Sequence, residues 1–239
     1  AATTTDAAGP GDRPVPLPVY AAAPPPSFTG RYDIRRGSEA GQATLRWQHE
    51  PDGRYALALQ AAGGGPALAP HWTSQGTIDA AGVAPERFAV SRRGRERHAA
   101  NFRRDAGLVS FAGPARTWPL VPGMQDRLSW MVQLAAVLQA DPALLQAPEG
   151  ITMMVVGAHG EAGRWTFRAI GREALGGPDG HPIDTWHLRR DAAQAHDPQV
   201  DVWLAPSLQH LPVRLRFRLP GTDATLSTEM QLRALHATP

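Results

Sequence analysis

The amino-acid sequence predicts a mainly β fold, in which an antiparallel rolled or barrel-like sheet wraps around one long helix. Three observations lead to this prediction. Apolar and polar residues alternate with a period of two along many short segments, and turn-forming residues separate these segments. A single stretch has helical periodicity instead. Strands joined by short turns, with one helix, are typical of a roll or barrel and not of a doubly wound α/β fold.

Residues 1–26 form the first segment, which is rich in Ala, Thr, Gly and Pro and has almost no large apolar side chains. Such a stretch cannot bury a core, so we predict a proline-rich flexible spacer. Residues 27–239 are then predicted to form a single β-roll domain. The segment lacks a charged start followed by an apolar run, so we expect any N-terminal membrane tether to be absent from this chain.

The first hairpin is predicted around the turn Glu50-Pro51-Asp52-Gly53, because apolar residues alternate with polar ones on both sides of it. An Ala81-Gly82 turn predicts a second pair of strands. The turn Asp105-Ala106-Gly107 predicts a third pair. The strand segments of this half are 45–48, 55–59, 72–78, 87–91, 100–102 and 109–111.

The helix is predicted over 125–139, between Pro122-Gly123 and Asp141-Pro142. Most of its circumference is apolar, which leaves only a narrow polar strip near Ser129, Gln133 and Ala136. A helix of this kind is enclosed by other elements and does not lie on a surface. We therefore expect a curved sheet to wrap around it.

The second half returns to strands, predicted at 151–156, 164–170, 186–190, 200–204, 212–219 and 225–232. The clearest has Val213, Leu215, Phe217 and Leu219 on the core face, alternating with three arginines on the other face. We expect arginine and glutamate to pair across the outer faces of such strands.

The charge composition is unusual because all 24 basic residues are arginine, while the net charge is only +2. The sequence pI of 9.6 overstates the basicity, since arginine keeps its charge far above the range in which lysine loses it. Nucleic-acid binding would need a dense face of one sign, so we expect no nucleic-acid partner. The absence of cysteine excludes disulfides and thiolate chemistry.

Motifs of known enzymes and cofactor sites are absent. The nine histidines show neither His-x-His nor His-Glu-x-x-His spacing, and there is no Gly-x-Ser-x-Gly motif. The glycine-rich stretches at 63–65 and 157–163 lack the lysine and the helix of a phosphate loop. We therefore predict no metal site, no cofactor and no catalytic residue, and an enzyme is the less favoured class. Paired carboxylates in a three-dimensional cleft stay open as an alternative.

Two sets of residues are candidates for binding. The arginines Arg92, Arg93, Arg95 and Arg97 are candidate contacts for a phosphate, a lipid head group or an acidic glycan. A candidate ligand pocket has Asp126 and Arg127 as its polar floor and is lined by Trp72, Trp118 and Trp130, with Trp203 as a further member of the set. Helix capping alone explains Asp126, and core packing alone explains the tryptophans.

Three segments together resemble a family of exported proteobacterial proteins known as domain of unknown function 3108. They are Trp72–Ile78 continuing to Pro85–Phe88, Gly123–Ser129, and Val202–Pro206 with Leu211–Arg214. The resemblance covers the chain from about Phe28 onward. It implies a rolled, barrel-like β fold and a periplasmic setting, often behind a membrane anchor and a proline-rich spacer. The family carries no established activity, so the resemblance assigns no catalytic residues.

These observations favour a periplasmic, non-enzymatic protein that binds an apolar or amphipathic ligand, such as a lipid or a polymer fragment, or that maintains the envelope. One alternative is a hydrolase of envelope polymers that uses Asp126 or scattered carboxylates and histidines, which would have to converge in one cleft. Another is a scaffold that binds a protein through a sheet edge. The oligomeric state is left open.

Overall fold

The computed structural model describes residues 16–63, 71–193, 197–219, 221 and 227–238. It contains fifteen strands, one α-helix and two short 3-10 helices. The strands of the first half are β1 (Phe28–Arg36), β2 (Glu39–His49), β3 (Arg54–Ala62), β4 (His71–Asp79), β5 (Gly82–Arg92), β6 (Arg95–Arg103), β7 (Leu108–Phe111) and β8 (Thr117–Pro119). The second half has β9 (Gln125–Asp126), α1 (Trp130–Ala140), β10 (Ile151–Val156), β11 (Ala162–Gly176), β12 (Pro182–Arg190), β13 (Gln199–Ala205), β14 (Leu211–Arg218) and β15 (Thr228–Ala237). The 3-10 helices are Pro142–Gln146 and Pro206–Leu208.

All fifteen strands form one sheet in the order β8-β7-β6-β5-β4-β3-β2-β1-β15-β14-β13-β12-β11-β10-β9. Every pairing is antiparallel except that of β9 with β10. The first and last strands pair with each other in the middle of the sheet, where Phe28 lies opposite Ala237. The sheet therefore consists of two meanders, β1–β8 and β10–β15, joined along β1 and β15. These observations confirm a mainly β, mostly antiparallel architecture.

The predicted hairpins are confirmed, with small differences at their ends. The β2–β3 turn is closed by the Glu50 amide, which donates to the Arg54 carbonyl at 2.7 Å. Val213 and Leu215 are buried as predicted, but Leu219 follows the end of β14 and is 42% exposed. The predicted start of the last strand at residue 225 lies outside the described residues, and β15 continues to Ala237. The strands β1 and β8 and the two 3-10 helices are not among the predicted elements.

The helix corrects the prediction of one long helix over 125–139. It has only eleven residues, Trp130–Ala140, because Gln125 and Asp126 form β9 and pair with β10. It ends at Ala140, with Asp141 as its C-cap, and the following Pro142 cannot continue it. Its predicted burial is confirmed, since all residues from Trp130 to Leu138 are buried.

The polar strip of the helix is buried as well, and it binds the surrounding chain. The Gln133 side chain accepts from the Val83 amide at 2.7 Å and donates to the Ala81 carbonyl at 2.6 Å, which ties the helix to the β4–β5 turn. Gly82 occupies this turn with φ +97°, and a Cβ there would clash with the Gln133 amide. The strip therefore positions the helix inside the sheet.

Replacing Gln133 by methionine, which has a similar shape, is expected to lower the free energy of unfolding by about 2 to 4 kcal/mol. The physical reason is that the Val83 amide and the Ala81 carbonyl would stay buried without a partner. Urea denaturation measures this effect. Gln60→Met is the matched control, since Gln60 is exposed on β3 and its replacement should change stability by less than about 0.5 kcal/mol. Equal losses in both variants would contradict the assigned role.

The last part of the predicted spacer packs against the domain. The Ala23 amide donates to the Ala136 carbonyl at 2.9 Å, and the Tyr20 hydroxyl accepts from the Thr152 amide at 2.9 Å. The Trp47 indole donates to the carbonyl of Pro25, which is buried. This part of the chain is therefore held in place by the helix, β10 and β2. The rest of the prediction, for residues 1–15, lies outside the described residues.

No helix within the described ranges is both long enough and apolar enough to cross a membrane.

Candidate functional site

The tryptophans of the predicted pocket lie in separate environments. Trp130, at the start of the helix, is stacked on Phe167 at 5.0 Å, whereas Trp72 meets Phe88 edge-on at 6.0 Å. Trp118 of β8 donates its indole N–H to the Gly160 carbonyl. In the part of the chain that the structure describes, no ring contact joins these three tryptophans. Their contacts are those of packing residues.

Asp126 is the centre of a fully buried hydrogen-bond network. Its Oδ1 accepts the amides of Leu128 and Ser129, both at 2.7 Å, so the carboxylate caps the turn that leads into the helix. Its Oδ2 accepts the Ser74 hydroxyl at 2.5 Å. Because the Ser74 proton is used in this bond, the Tyr55 hydroxyl donates to Ser74, at 2.8 Å. The carboxylate thus joins β9 to β3 and β4.

Burial raises the pKa of Asp126 to about 6, because its environment disfavours the charged form. The hydrogen bonds from Ser74, Ser129 and Leu128 act in the opposite direction without cancelling this effect. The Tyr55 pKa lies well above its ordinary value, mainly through burial and secondarily through the nearby Asp126 charge. A carboxyl group with 0% exposure and both oxygens occupied is not placed to contact a substrate. The geometry makes it a structural cap.

The raised pKa of Asp126 predicts a pH dependence of stability. The unfolded side chain titrates near 3.8 and the folded one near 6, so between these values only the folded protein holds the proton. The difference in unfolding free energy between wild type and Asp126→Asn should therefore fall by about 3 kcal/mol as the pH rises through this window, and stay constant above it. Urea denaturation of both proteins from about pH 4 to pH 7 measures it. A constant difference would contradict the assignment.

Arg127 lies over the Trp165 ring at 4.9 Å and 3.7 Å from the Glu161 carboxylate. Burial lowers its pKa, although the Glu161 charge acts against this. Arg190 contacts the same ring at 4.6 Å and pairs with Asp197. Two guanidinium groups on one buried tryptophan, each with an acidic partner, form a packing cluster. Arg127 therefore borders the interior without forming the floor of a pocket.

The predicted anion-contacting arginines lie at the tip of the β5–β6 hairpin. All four are exposed, and Arg93 has φ +53° in the tight turn. The neighbouring Glu96 pairs with Arg87 across the hairpin at 2.5 Å. The described ranges contain no group of three or more His, Asp or Glu that could hold a metal ion.

The outer face of β12 to β1 carries a row of charges that alternates in sign from strand to strand. Along the register, Asp201 lies opposite Arg216, Arg216 opposite Glu229, and Glu229 opposite Arg35. The row begins with Arg189, whose Nε is 2.8 Å from Asp201. Arg216 binds Glu229 at 2.6 Å. This confirms the expected pairing of arginine and glutamate across the outer face.

A second row of cross-strand neighbours on the same face is centred on Trp203. Its ring is buried but lies on the face opposite the core, where it stacks on His187 at 4.3 Å. The guanidinium of Arg214 lies over it at 5.0 Å, and its indole N–H donates to Glu173 at 2.6 Å. Trp203 is thus enclosed by charged side chains, unlike the other candidate tryptophans. Its contacts hold Arg214 in a fixed orientation.

A cavity on this outer face is lined in part by Arg214, which lies over the Trp203 ring. We call it the outer groove; its volume is about 440 Å³. The end of β11 borders it through Gly176, whose carbonyl accepts from the Gln231 side chain at 3.2 Å. The side chains that line it are Asp33, Arg35, Arg214, Glu229, Gln231 and Arg233. None of these residues was predicted from the sequence to bind a ligand.

Two other cavities are placed differently. One of about 380 Å³ lies between the β11–β12 hairpin and Pro206 and is lined in part by Arg172 and Trp186. The other, between Val83 and Met124, has only about 10 Å³, which is space for one water molecule at most. The enclosed space of the roll is occupied by the helix and the apolar side chains around it.

Comparisons with known proteins give a family and a fold. The family model for "Protein of unknown function (DUF3108)" matches residues 28–227, and no curated protein matches the chain by sequence. A beta-barrel-like protein of the domain of unknown function DUF1849 from Brucella abortus is similar in structure, with a TM-score of 0.57 and 11% sequence identity. That match covers 92% of this chain and 100% of the other.

Two further structures are similar at lower scores. A chain of the MucA/MucB complex from Pseudomonas aeruginosa has a TM-score of 0.39 and 13% identity, and the match covers 88% of this chain and 51% of that one. A putative outer membrane lipoprotein-sorting protein domain from Vibrio parahaemolyticus has a TM-score of 0.32 and 9% identity, with 88% and 85% covered.

The similarity to the Brucella protein shows a barrel-like fold, in agreement with the rolled sheet seen here. The family model begins at the first residue of β1 and ends just before β15, so it spans nearly the whole described sheet. The chain therefore belongs to the family of proteins of unknown function DUF3108.

Proposed function

We propose that this protein is a non-enzymatic binding protein of the bacterial cell envelope, and that it holds its partner in the outer groove. The observation that carries the proposal is the position of this cavity. It has the size of a small-molecule site and a convergent set of polar side chains, while the helix fills the space inside the roll. The partner is therefore bound on the surface of the sheet.

This position changes the chemistry expected of the ligand. A purely apolar molecule suits an apolar interior, but the outer groove is lined by three arginines and two carboxylates. Such walls favour a polar or charged group, such as the head group of an amphipathic lipid or a unit of an envelope polymer. The apolar part of a lipid would lie outside the groove.

The two alternatives find less support. A hydrolase would need accessible acid and base groups, whereas Asp126 is fully buried with both oxygens occupied. A scaffold would bind another strand along β11 from Arg168 to Gly176, because this part of β11 has a paired neighbour, β12, on one side only. That edge has a bulge at Ile170 and exposed arginines at 168 and 172, which are features that discourage the addition of another strand.

An envelope location is part of the proposal and is supported by two features. The proline-rich segment before residue 27 suits a spacer, and the segments that resemble DUF3108 proteins imply a periplasmic setting. Fractionation of a Gram-negative bacterium that produces the protein naturally should recover it with the periplasm or membranes. Recovery from the cytosol would contradict this part.

Native mass spectrometry of the protein purified from that fraction tests the outer groove. Wild type is expected to carry an added mass that Gly176→Phe loses. A Cβ at Gly176 meets no atom within 4 Å, and Gly176 itself lines the groove. Gly163→Phe is the matched control, since Gly163 also lies in β11 with no atom within 4 Å, but away from the groove. The proposal would be overturned if the wild-type protein carried no added mass, or if both variants retained the added mass.

A further inference from the structure

We propose that Arg35 and Arg214 form a binding locus in the outer groove for a singly charged oxyanion, either a phosphodiester or a carboxylate. The inference rests on the proposed function, because it names the chemical group by which the partner is recognised there.

The charges of the groove leave one cation without a partner. Asp33 is bound by Arg233 at 2.7 Å. Glu229 is bound by Arg216 at 2.6 Å and Arg214 at 3.3 Å; burial alone would raise its pKa, yet the bonds and charges of these arginines lower it. Three arginines and two carboxylates line the groove, which leaves a charge of +1.

This charge is carried by Arg35. It lies opposite Glu229 in the register of β1 and β15, yet its guanidinium makes no hydrogen bond or ion pair with any residue that the structure describes. Glu229 already accepts hydrogen bonds from two guanidinium groups, which explains why Arg35 has no partner. Its five N–H donors are available to a ligand oxygen.

Arg214 supplies the second, more rigid contact. Its guanidinium lies on the Trp203 ring, and Trp203 is fixed by stacking on His187 and by the bond to Glu173. Only one of its nitrogens, NH2, bonds to Glu229. An arginine that is already held in place loses little entropy on binding, and its planar fork suits two oxygens of one anion.

The surroundings limit the ligand to a single charge. Asp33 and Glu229 line the same groove and would repel a dianion such as a phosphate monoester. The concave walls of the groove concentrate the electrostatic field of the arginines. The locus therefore attracts an anion more strongly than an unpaired arginine on a flat strand does. The Gln231 side-chain amide and the Gly176 carbonyl lie in the same groove, where they can bind hydroxyl groups next to the anion.

Titrations monitored by two-dimensional NMR test the locus. Purified protein at low salt is titrated with dimethyl phosphate, with glucuronate and with glucose as the neutral probe. Both anions are expected to shift the amide signals of residues 33–35, 176, 214 and 229–233, and glucose is not. Arg35→Gln should weaken anion binding by about tenfold or more. Arg46→Gln is the matched control, because Arg46 is exposed on the outer face of the neighbouring strand β2.

Each result has a defined meaning. If Arg35→Gln and Arg46→Gln weaken anion binding equally, the anions are attracted by the general positive charge and the proposed locus is wrong. Equal binding of glucose would also overturn the locus. If the anions do not bind while Gly176→Phe still removes the added mass, the proposed function stands and the oxyanion inference fails. If the anions bind through Arg35 but wild type is recovered bare, the locus stands and the proposed function fails. Vesicles of phosphatidylglycerol and of phosphatidylcholine then distinguish a lipid source from a soluble one.

Discussion

Asp126→Ala is expected to lower the free energy of unfolding by roughly 3 to 6 kcal/mol. The substitution removes the acceptor of two backbone amides, those of Leu128 and Ser129, and of the Ser74 hydroxyl. All three donors are buried, and each costs about 1 to 3 kcal/mol when it is left without a partner. Since small domains are stable by only about 5 to 15 kcal/mol, this single change brings the protein close to unfolding. Urea denaturation at pH 7 measures the loss.

Asp126→Asn separates the loss of the cap from the loss of the charge. The asparagine oxygen can accept both amides, so this variant should keep most of the stability that alanine loses. Circular dichroism should show that Asp126→Ala unfolds in a single transition at lower urea concentration. Wild-type stability in the alanine variant would mean that the turn before the helix does not depend on the carboxylate.

Trp130→Ala is the second large effect, with an expected loss of about 3 to 5 kcal/mol. The Trp130 side chain has no exposed surface. It stacks on Phe167, lies 5.7 Å from Trp165 and meets Phe217 edge-on at 6.4 Å. Its removal leaves a cavity at the junction of the helix with β11 and β14, and the rigid sheet cannot collapse to fill it. The midpoint of urea denaturation reports the effect.

Two variants control for this interpretation. Trp130→Phe keeps the stack and should lose less than half as much stability. Trp118→Ala removes a partly exposed tryptophan of the edge strand β8 and should also lose less than half as much. If Trp118→Ala and Trp130→Ala cost the same, the helix is not the centre of the core.

The strands and the enclosure of the helix could be predicted because each has a local signal. The alternation around Leu45 and Leu57 fixes which face of β2 and β3 is buried, and turn residues mark their ends. The wide apolar arc of the helix likewise requires a partner on nearly all sides. These features depend on neighbours within about ten residues, which the sequence displays directly.

The start of the helix could not be predicted, because a contact distant in sequence decides it. Gln125 and Asp126 are compatible with a first helical turn, but they pair with Val155 and Val156 of β10. In the sequence Gln133 belongs to a narrow polar strip, and only the fold reveals that its partners are in the β4–β5 turn. Propensity is a weak guide where tertiary pairing competes with it.

The outer groove depends on register across strands that are far apart in the chain. Arg35 and Glu229 are neighbours in space although almost two hundred residues separate them. One local signal was present: Val200, Val202 and Leu204 alternate on the core face, which already places Trp203 on the outer face. A large aromatic residue on the wrong side of a strand therefore indicates a site.

The pairing of β1 with β15 also constrains the order in which the protein folds. Each meander is built from neighbouring hairpins that can form soon after their residues are together, whereas Phe28 meets Ala237 only when the whole chain is available. Closing so long a loop is entropically costly and slow, so joining the two meanders is a late step. Until then β1 presents an unpaired edge of nine residues, a surface open to wrong partners during synthesis. The native contact that conceals this edge is made by the last strand of the chain.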